Sequence, residues 1–217
     1  MIDWTCISTV FLDMDGTLLD LRFDNHFWLE HVPMRFSEKH SYPLEQAREV
    51  LYARYRSVEG TLAWYSVDYW SRQLELDISA LKQEMTHLIS VHPHVVNFLR
   101  SVAGTGRRLV LLTNAHVKSV DIKLAKTELG QYFDRIIVSH DLGEPKESVR
   151  FWPLLKEYEP HEPARTLLVD DNLSILRMAR RHGIAHLLAV KRPDTQGREI
   201  DSEEFEVIEN FSEILPG

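Results

Sequence analysis

Residues 10–19 read VFLDMDGTLL. The apolar run Val10-Phe11-Leu12 leads into Asp13, Asp15 follows two positions later, and Gly16 and Thr17 turn the chain. A buried strand that ends in an acid and a glycine is how an open α/β sheet presents a reactive side chain at a strand's carboxyl end. The period of two puts Asp13 and Asp15 on one side of extended backbone, with Met14 opposite. Two carboxylates that close do not both stay ionised without a cation or a shared proton. The stretch therefore predicts a metal ion or an acid/base division of labour. The bland alternative is an ordinary acidic strand end. A calcium loop is excluded, because Leu18, Leu19 and Leu21 stand where further oxygen ligands are needed.

Beyond this strand (Val10–Asp13) the chain changes character twice. From about Asp20 to Val91 glycine nearly vanishes, aromatics and charges rise, and the spacing becomes helical. Four helices are expected there, over Asn25–His40, Pro43–Val58, Thr61–Leu74 and Ile78–Ser90. Pro43 suits a first turn, and Asp77 or Ser79 a cap of the fourth helix. After His92 and Pro93 strands and helices alternate: helix Val95–Ala103, strand Leu109–Leu112, helix Val117–Leu129, strand Arg135–Ser139, helix Glu147–Tyr158, strand Thr166–Val169, helix Ser174–His182 and strand His186–Val190. A short strand Phe205–Ile208 and a terminal turn follow. This predicts a doubly wound parallel α/β sheet, Rossmann-like, formed by residues 1–19 and 92–217 and carrying an inserted all-helical unit at 20–91.

Three further strand ends should converge on Asp13. LVLLTN ends in Thr113 and Asn114, a hydroxyl and an amide able to bond an oxyanion; the same pair is also a common exit into a turn. EPKE carries Lys146, a compact charge that in isolation reads as a surface lysine. LLVDDN ends in Asp170 and Asp171. Adjacent acids after a buried run are costly without a cation, and with Asp13 they suit Mg²⁺, which takes few carboxylates plus waters and phosphate. Asp171 or Asn172 could instead cap the next helix.

The chain has 217 residues, 44% of them hydrophobic, which suffices for a sizeable core. A net charge of −8 gives no electrostatic case for nucleic acid or an anionic membrane as partner. One cysteine, Cys6, excludes an internal disulfide and a cysteine zinc site. No signal peptide or transmembrane span is apparent, and a reducing cytoplasmic setting is expected. A zinc reading from His92 and His94 with His87, His116 or His140 lacks a ligand framework.

The motif at Asp13, with Thr113, Lys146 and the Asp170-Asp171 pair in that order, resembles the haloacid dehalogenase-like (HAD) hydrolase superfamily. The resemblance implies that Asp13 is a nucleophile that becomes phosphorylated and that Asp15 is a general acid/base. It also implies that Thr113, Asn114 and Lys146 bind phosphate, Lys146 pairing with the nucleophile as well. Mg²⁺ would be held by Asp13, the Asp15 backbone carbonyl, Asp171 and Asp170, and the helical insertion would be a C1-type cap that chooses the substrate. The cap segments LLDLRFDNHFWLEHVP and TLAWYSVDYWSRQLELDI, with LLTNAH and TLLVDDNLSIL, are similar to the bacterial GMP/IMP nucleotidases of that superfamily. A Mg²⁺-dependent 5′-nucleotidase for purine mononucleotides is therefore expected. Phe23, Phe27, Trp28, Trp64, Tyr65, Tyr69 and Trp70 offer an aromatic wall for a base, with Asp24 and Asn25 as polar partners, although aromatics at helical spacing equally form bundle core. The alternatives are a sugar-phosphate or phosphoglycolate phosphatase or phosphomutase, and a non-catalytic nucleotide-binding domain. The first would show little discrimination among nucleotides; the second would lack a motif residue, and none is missing.

Overall fold

The computed structural model describes residues 2–216, so Met1 and Gly217, the outer ends of the expected core, lie outside the described residues. Strand β1 (Thr9–Leu12) is buried along its whole length. Val10 and Leu12 pack on one face of the sheet with Leu109, Leu111, Leu167 and Val169. Phe11 packs on the other with Val110, Leu112 and Leu168. Strands covered on both faces have no use for polar alternation, which is why these runs are continuously apolar. Five more strands follow: β2 (Arg108–Thr113), β3 (Arg135–Val138), β4 (Thr166–Val169), β5 (His186–Val190) and β6 (Glu206–Ile208). All pair in parallel, in the order β3-β2-β1-β4-β5-β6. The order reverses between β1 and β4, so a crevice opens at their carboxyl ends.

The helical region lies between β1 and β2. It contains α1 (Arg22–His26), a π turn (Phe27–His31), α2 (Val32–His40), α3 (Leu44–Val58), α4 (Leu62–Tyr65), α5 (Val67–Leu74), α6 (Ile78–Glu84) and a 3₁₀ turn (Thr86–Leu88). The first expected helix starts three residues early and carries the π turn. The third is broken at Ser66, whose hydroxyl accepts from Tyr69 N (3.1 Å) and caps α5. The fourth stops at Glu84 instead of Ser90. Pro43 is the N-cap of α3, one place before the first turn. Asp77 caps α6 by accepting from Ala80 N (2.9 Å). The region has an apolar core of its own around Phe27, Phe36, Leu51, Tyr55, Trp70 and Ile78. Its two connections to the sheet run side by side, Leu19 bridging Val91 in antiparallel fashion.

The sheet is covered by α7 (Val95–Ala103), α8 (Val117–Thr127), α9 (Ser139–Leu142), α10 (Phe151–Tyr158) and α11 (Leu173–Arg181). The periodicity missed α9 and overran α8, which ends before Glu128 in the left-handed conformation. It also started α10 four residues early. Residues 147–150 turn instead, with side chains taking backbone amides there: Lys146 N donates to Asn114 Oδ1 (2.9 Å) and Arg150 N to Ser148 Oγ (3.2 Å). Among the described residues no helix is long and apolar enough to cross a membrane.

Candidate active site

The crevice collects every strand-end residue singled out above. Asp13 directly follows β1, Thr113 closes β2, and Asp170 and Asp171 directly follow β4. Lys146 arrives from the turn before α10 and is fully buried. Its ammonium donates to Asp13 Oδ1 (2.5 Å), Asp170 Oδ2 (2.7 Å) and the Leu112 carbonyl (3.0 Å). Burial works against this charge, but Asp13 and Asp170 hold its pKa above the ordinary lysine value. Burial pushes Asp13 up to about 6 despite Lys146. Burial also raises Asp170, and it raises Asp171 well above the usual range with Asp13 adding to the effect.

One oxygen from each of Asp13, Asp170 and Asp171 lies within 4.8 Å of the others. Asp170 Oδ1 accepts from Asn172 N (2.9 Å), so both its oxygens are engaged. Asp171 accepts no hydrogen bond among the described residues. The helix-cap alternative falls to its neighbour, since Asn172 Oδ1 accepts from Ser174 N (2.9 Å). The acid/base chemistry of three crowded carboxylates facing one lysine leaves negative charge unmatched, which is what a cation site requires. Among the described residues this is the only cluster of at least three His, Cys, Asp or Glu side chains with metal-ligand spacing, so the histidines form none.

Gly16 lets the chain turn this tightly. Its φ is +85°, and a Cβ there would stand 2.5 Å from Asp171 Oδ2. Gly16→Ala is expected to lose about 1–3 kcal/mol of stability and at least about tenfold in turnover as Asp171 is displaced. Urea unfolding and initial rates check this; an unchanged midpoint would remove Gly16 from the support of the site.

Thr113 Oγ accepts from Ala115 N (3.0 Å) and keeps its proton free to donate into the cavity. The Asn114 side chain accepts from Lys146 N (2.9 Å) and donates to Glu147 Oε2 (2.8 Å). Glu147, which was not singled out, also accepts from the Tyr65 hydroxyl (2.5 Å) and so ties the helical region to the strand ends.

The second surprise is a buried chain of alternating charges. Lys123 of α8 donates to Asp15 Oδ1 and to Asp24 Oδ2, both at 2.6 Å. Lys82 of α6 donates to Asp24 Oδ1 at 3.2 Å. Burial, reinforced by Asp24 and opposed by Lys123, brings Asp15 up to about 6. A signal existed: Lys123 follows Ser119 and Val120 by four and three residues, and Lys82 follows Ile78 by four, both on buried stripes.

A cavity of about 380 Å³ lies between the strand ends and the helical region. Trp28, Trp64, Tyr65 and Trp70 line it, while Phe23 and Phe27 are core. Tyr69 is not part of the lining. Asp24 faces the cavity with its carboxylate already taken by the lysines, and Asn25 lines it while donating from its amide to Asp194 Oδ2 (2.7 Å).

The site is thus an acid-rich crevice at the β1/β4 switch of a doubly wound sheet, roofed by helices. The family model for haloacid dehalogenase-like hydrolases matches residues 7–183, and the chain belongs to that family. It is 37% identical over 215 residues to the GMP/IMP nucleotidase YrfG of Escherichia coli K12, covering 99% of this chain and 97% of that protein. The YrfG protein of Shigella flexneri matches to the same extent. Among solved structures, a HAD phosphatase from Thermococcus onnurineus superposes with a TM-score of 0.77 at 23% identity, covering 93% of each chain, which speaks to the fold.

Proposed function

We propose that this protein is a Mg²⁺-dependent 5′-nucleotidase that dephosphorylates the purine mononucleotides GMP and IMP. The observation that carries this is the 37% identity across 99% of the chain to a GMP/IMP nucleotidase, which includes the helices lining the cavity. Residues 20–91 act as the cap and residues 1–19 with 92–217 as the catalytic core. The single cysteine, Cys6, is free, in keeping with a reducing cytoplasm.

Asp13 attacks the phosphorus in line; the P–O bond to the nucleoside breaks and an aspartyl-phosphate forms. Asp15, pushed up to about 6, donates its proton to the departing 5′-oxygen and then takes one from the water that hydrolyses the intermediate. Lys146 and the Thr113 hydroxyl stabilise the phosphoryl oxygens, with the Asn114 backbone N–H alongside. The Asn114 side chain orients Lys146.

The donor set fits Mg²⁺, a small hard cation that accepts few carboxylates and keeps waters. Asp13, Asp171 and the Asp15 backbone carbonyl would hold it, and Asp170, already bonded to Lys146, would act through water. When bound, the ion supplies positive charge against the repulsion between Asp13 and the phosphoryl group.

Because Asp13 is raised from 3.8 to about 6, the native chain binds more protons than the unfolded chain between those values. Stability contributed by these groups is therefore lost as pH rises through that window. A divalent cation competes with the same protons. The rise in Tm from millimolar Mg²⁺ is expected to be larger at about pH 7.5 than at about pH 5.5. Calorimetry at the two pH values checks this, and equal gains would exclude the aspartate cluster as the binding site.

Phosphate release from GMP, IMP, AMP, UMP, glucose phosphates, phosphoglycolate and pyridoxal phosphate with Mg²⁺ tests the activity. GMP and IMP should lead; a leading sugar phosphate would keep the chemistry and overturn the substrate.

A further inference from the structure

Lys82 has no task in the phosphoryl chemistry, yet it is buried at the cavity wall, its side chain only 3% exposed. An ammonium has three N–H donors and no acceptor. Among the described residues Lys82 gives one hydrogen bond, to Asp24 at 3.2 Å. That carboxylate is already paired at 2.6 Å with Lys123. Lys82 and Lys123 together balance Asp24 and Asp15, but the 3.2 Å bond to a carboxylate already shared with Lys123 uses only one of the Lys82 donors. Its charge lies 4.5 Å from the Phe27 ring centre, 5.0 Å from Phe23 and 5.6 Å from Trp28. These faces hold it in place while leaving donors unspent.

Its position matters as much as its donors. Three contacts, Lys82–Asp24, Asp24–Lys123 and Lys123–Asp15, separate it from the carboxyl group assigned to the leaving 5′-oxygen. Asp15 and Lys82 line the same cavity, so a nucleotide with its phosphate at the strand ends extends toward Lys82. Trp28 lines the same cavity with the ammonium over its ring at 5.6 Å, so a base entering beside that indole meets Lys82 as well.

We propose that Lys82 reads the base by donating to the O6 and N7 acceptors of a 6-oxopurine, and so selects guanine and hypoxanthine over adenine. This rests on the nucleotidase function proposed above and adds the residue that sets its selectivity. Guanine and hypoxanthine present two adjacent acceptors on that edge, whereas adenine presents N7 beside an amino donor. A donor-only side chain bonds the first pair and opposes the amino group. The 2-amino group, which separates GMP from IMP, lies on the other edge and is not read by Lys82.

The test compares kcat/KM for GMP, IMP, AMP and 2-aminopurine ribonucleoside 5′-monophosphate, which lacks O6, in wild type and Lys82→Met with Mg²⁺. Wild type should prefer GMP and IMP. In Lys82→Met the GMP-to-AMP ratio should fall by about 10- to 100-fold, and the GMP-to-2-aminopurine ratio should collapse toward one. A ratio unchanged in the variant, or equal losses on GMP and AMP, would overturn the assignment and leave Lys82 as a buried partner of Asp24. Should the variant not fold by circular dichroism, wild type alone decides: equal kcat/KM for GMP and the 2-aminopurine nucleotide overturns the proposal. If wild type favours a simple phosphate ester over every nucleotide, the nucleotidase function fails and Lys82 with it. If wild type favours GMP and IMP while the variant keeps that preference, Lys82 fails alone.

Discussion

Asp13→Asn is expected to reduce phosphate release from GMP by at least about 10⁵-fold, the scale on which removal of a covalent nucleophile acts. The amide is nearly isosteric with the carboxylate but cannot form the acyl phosphate. The variant should nonetheless fold. Lys146 keeps Asp170 Oδ2 at 2.7 Å and the Leu112 carbonyl at 3.0 Å. One of three crowded carboxylates loses its charge, which relieves a site held together against burial. In the absence of divalent cation the Tm should therefore be equal to or above that of wild type, as is common where a function-bearing charge is removed. Single-turnover phosphate release and calorimetry read the two effects separately. A folded variant that retains more than about 1% of turnover would move the nucleophile elsewhere.

Lys146→Met acts on the same hydrogen bond with the opposite effect on stability. It removes the one cation bonded to Asp13 and Asp170 and leaves both buried carboxylates uncompensated. A loss of about 3–5 kcal/mol is expected, the usual result of breaking a buried pair from one side. Turnover should fall by about 10³-fold or more as the phosphoryl charge loses its lysine. Millimolar Mg²⁺ should recover part of the stability by binding the freed carboxylates. Urea unfolding with and without Mg²⁺ measures this. A change below about 1 kcal/mol would mean that the aspartates are held protonated and that Lys146 does not balance them. The contrast with Asp13→Asn shows why the site is expensive to fold: charge on the acid side is in excess, and charge on the lysine side is scarce.

Much of this was legible in order along the chain. Asp13, Thr113 and the Asp170-Asp171 pair stand at the ends of continuous apolar runs, and those runs became β1, β2 and β4. Lys146 was legible by its motif, although the helix expected at Glu147 begins at Phe151. The local pattern there was overridden by Asn114, which bonds the Lys146 amide from a distant strand end. The aromatics of the helical region could not be sorted by spacing. Trp28 and Phe27 are adjacent, yet one lines the cavity and the other is core.

The sequence by itself determined the alternation of strands and helices, the insertion between the first two strands, and the acids at the strand ends. These follow from periodicity and turn chemistry, which act over a few residues and are specified by backbone geometry alone. Only the tertiary structure decided which polar side chains share a carboxylate. Lys123 reaches Asp15 and Asp24 across about a hundred residues of chain, Lys82 reaches Asp24 from another helix, and Glu147 meets Tyr65. A lysine on an apolar stripe announces that some buried partner exists, because an unpaired buried charge is too costly to keep. Which partner it finds depends on how helices and sheet pack, and that packing is settled by the whole core at once.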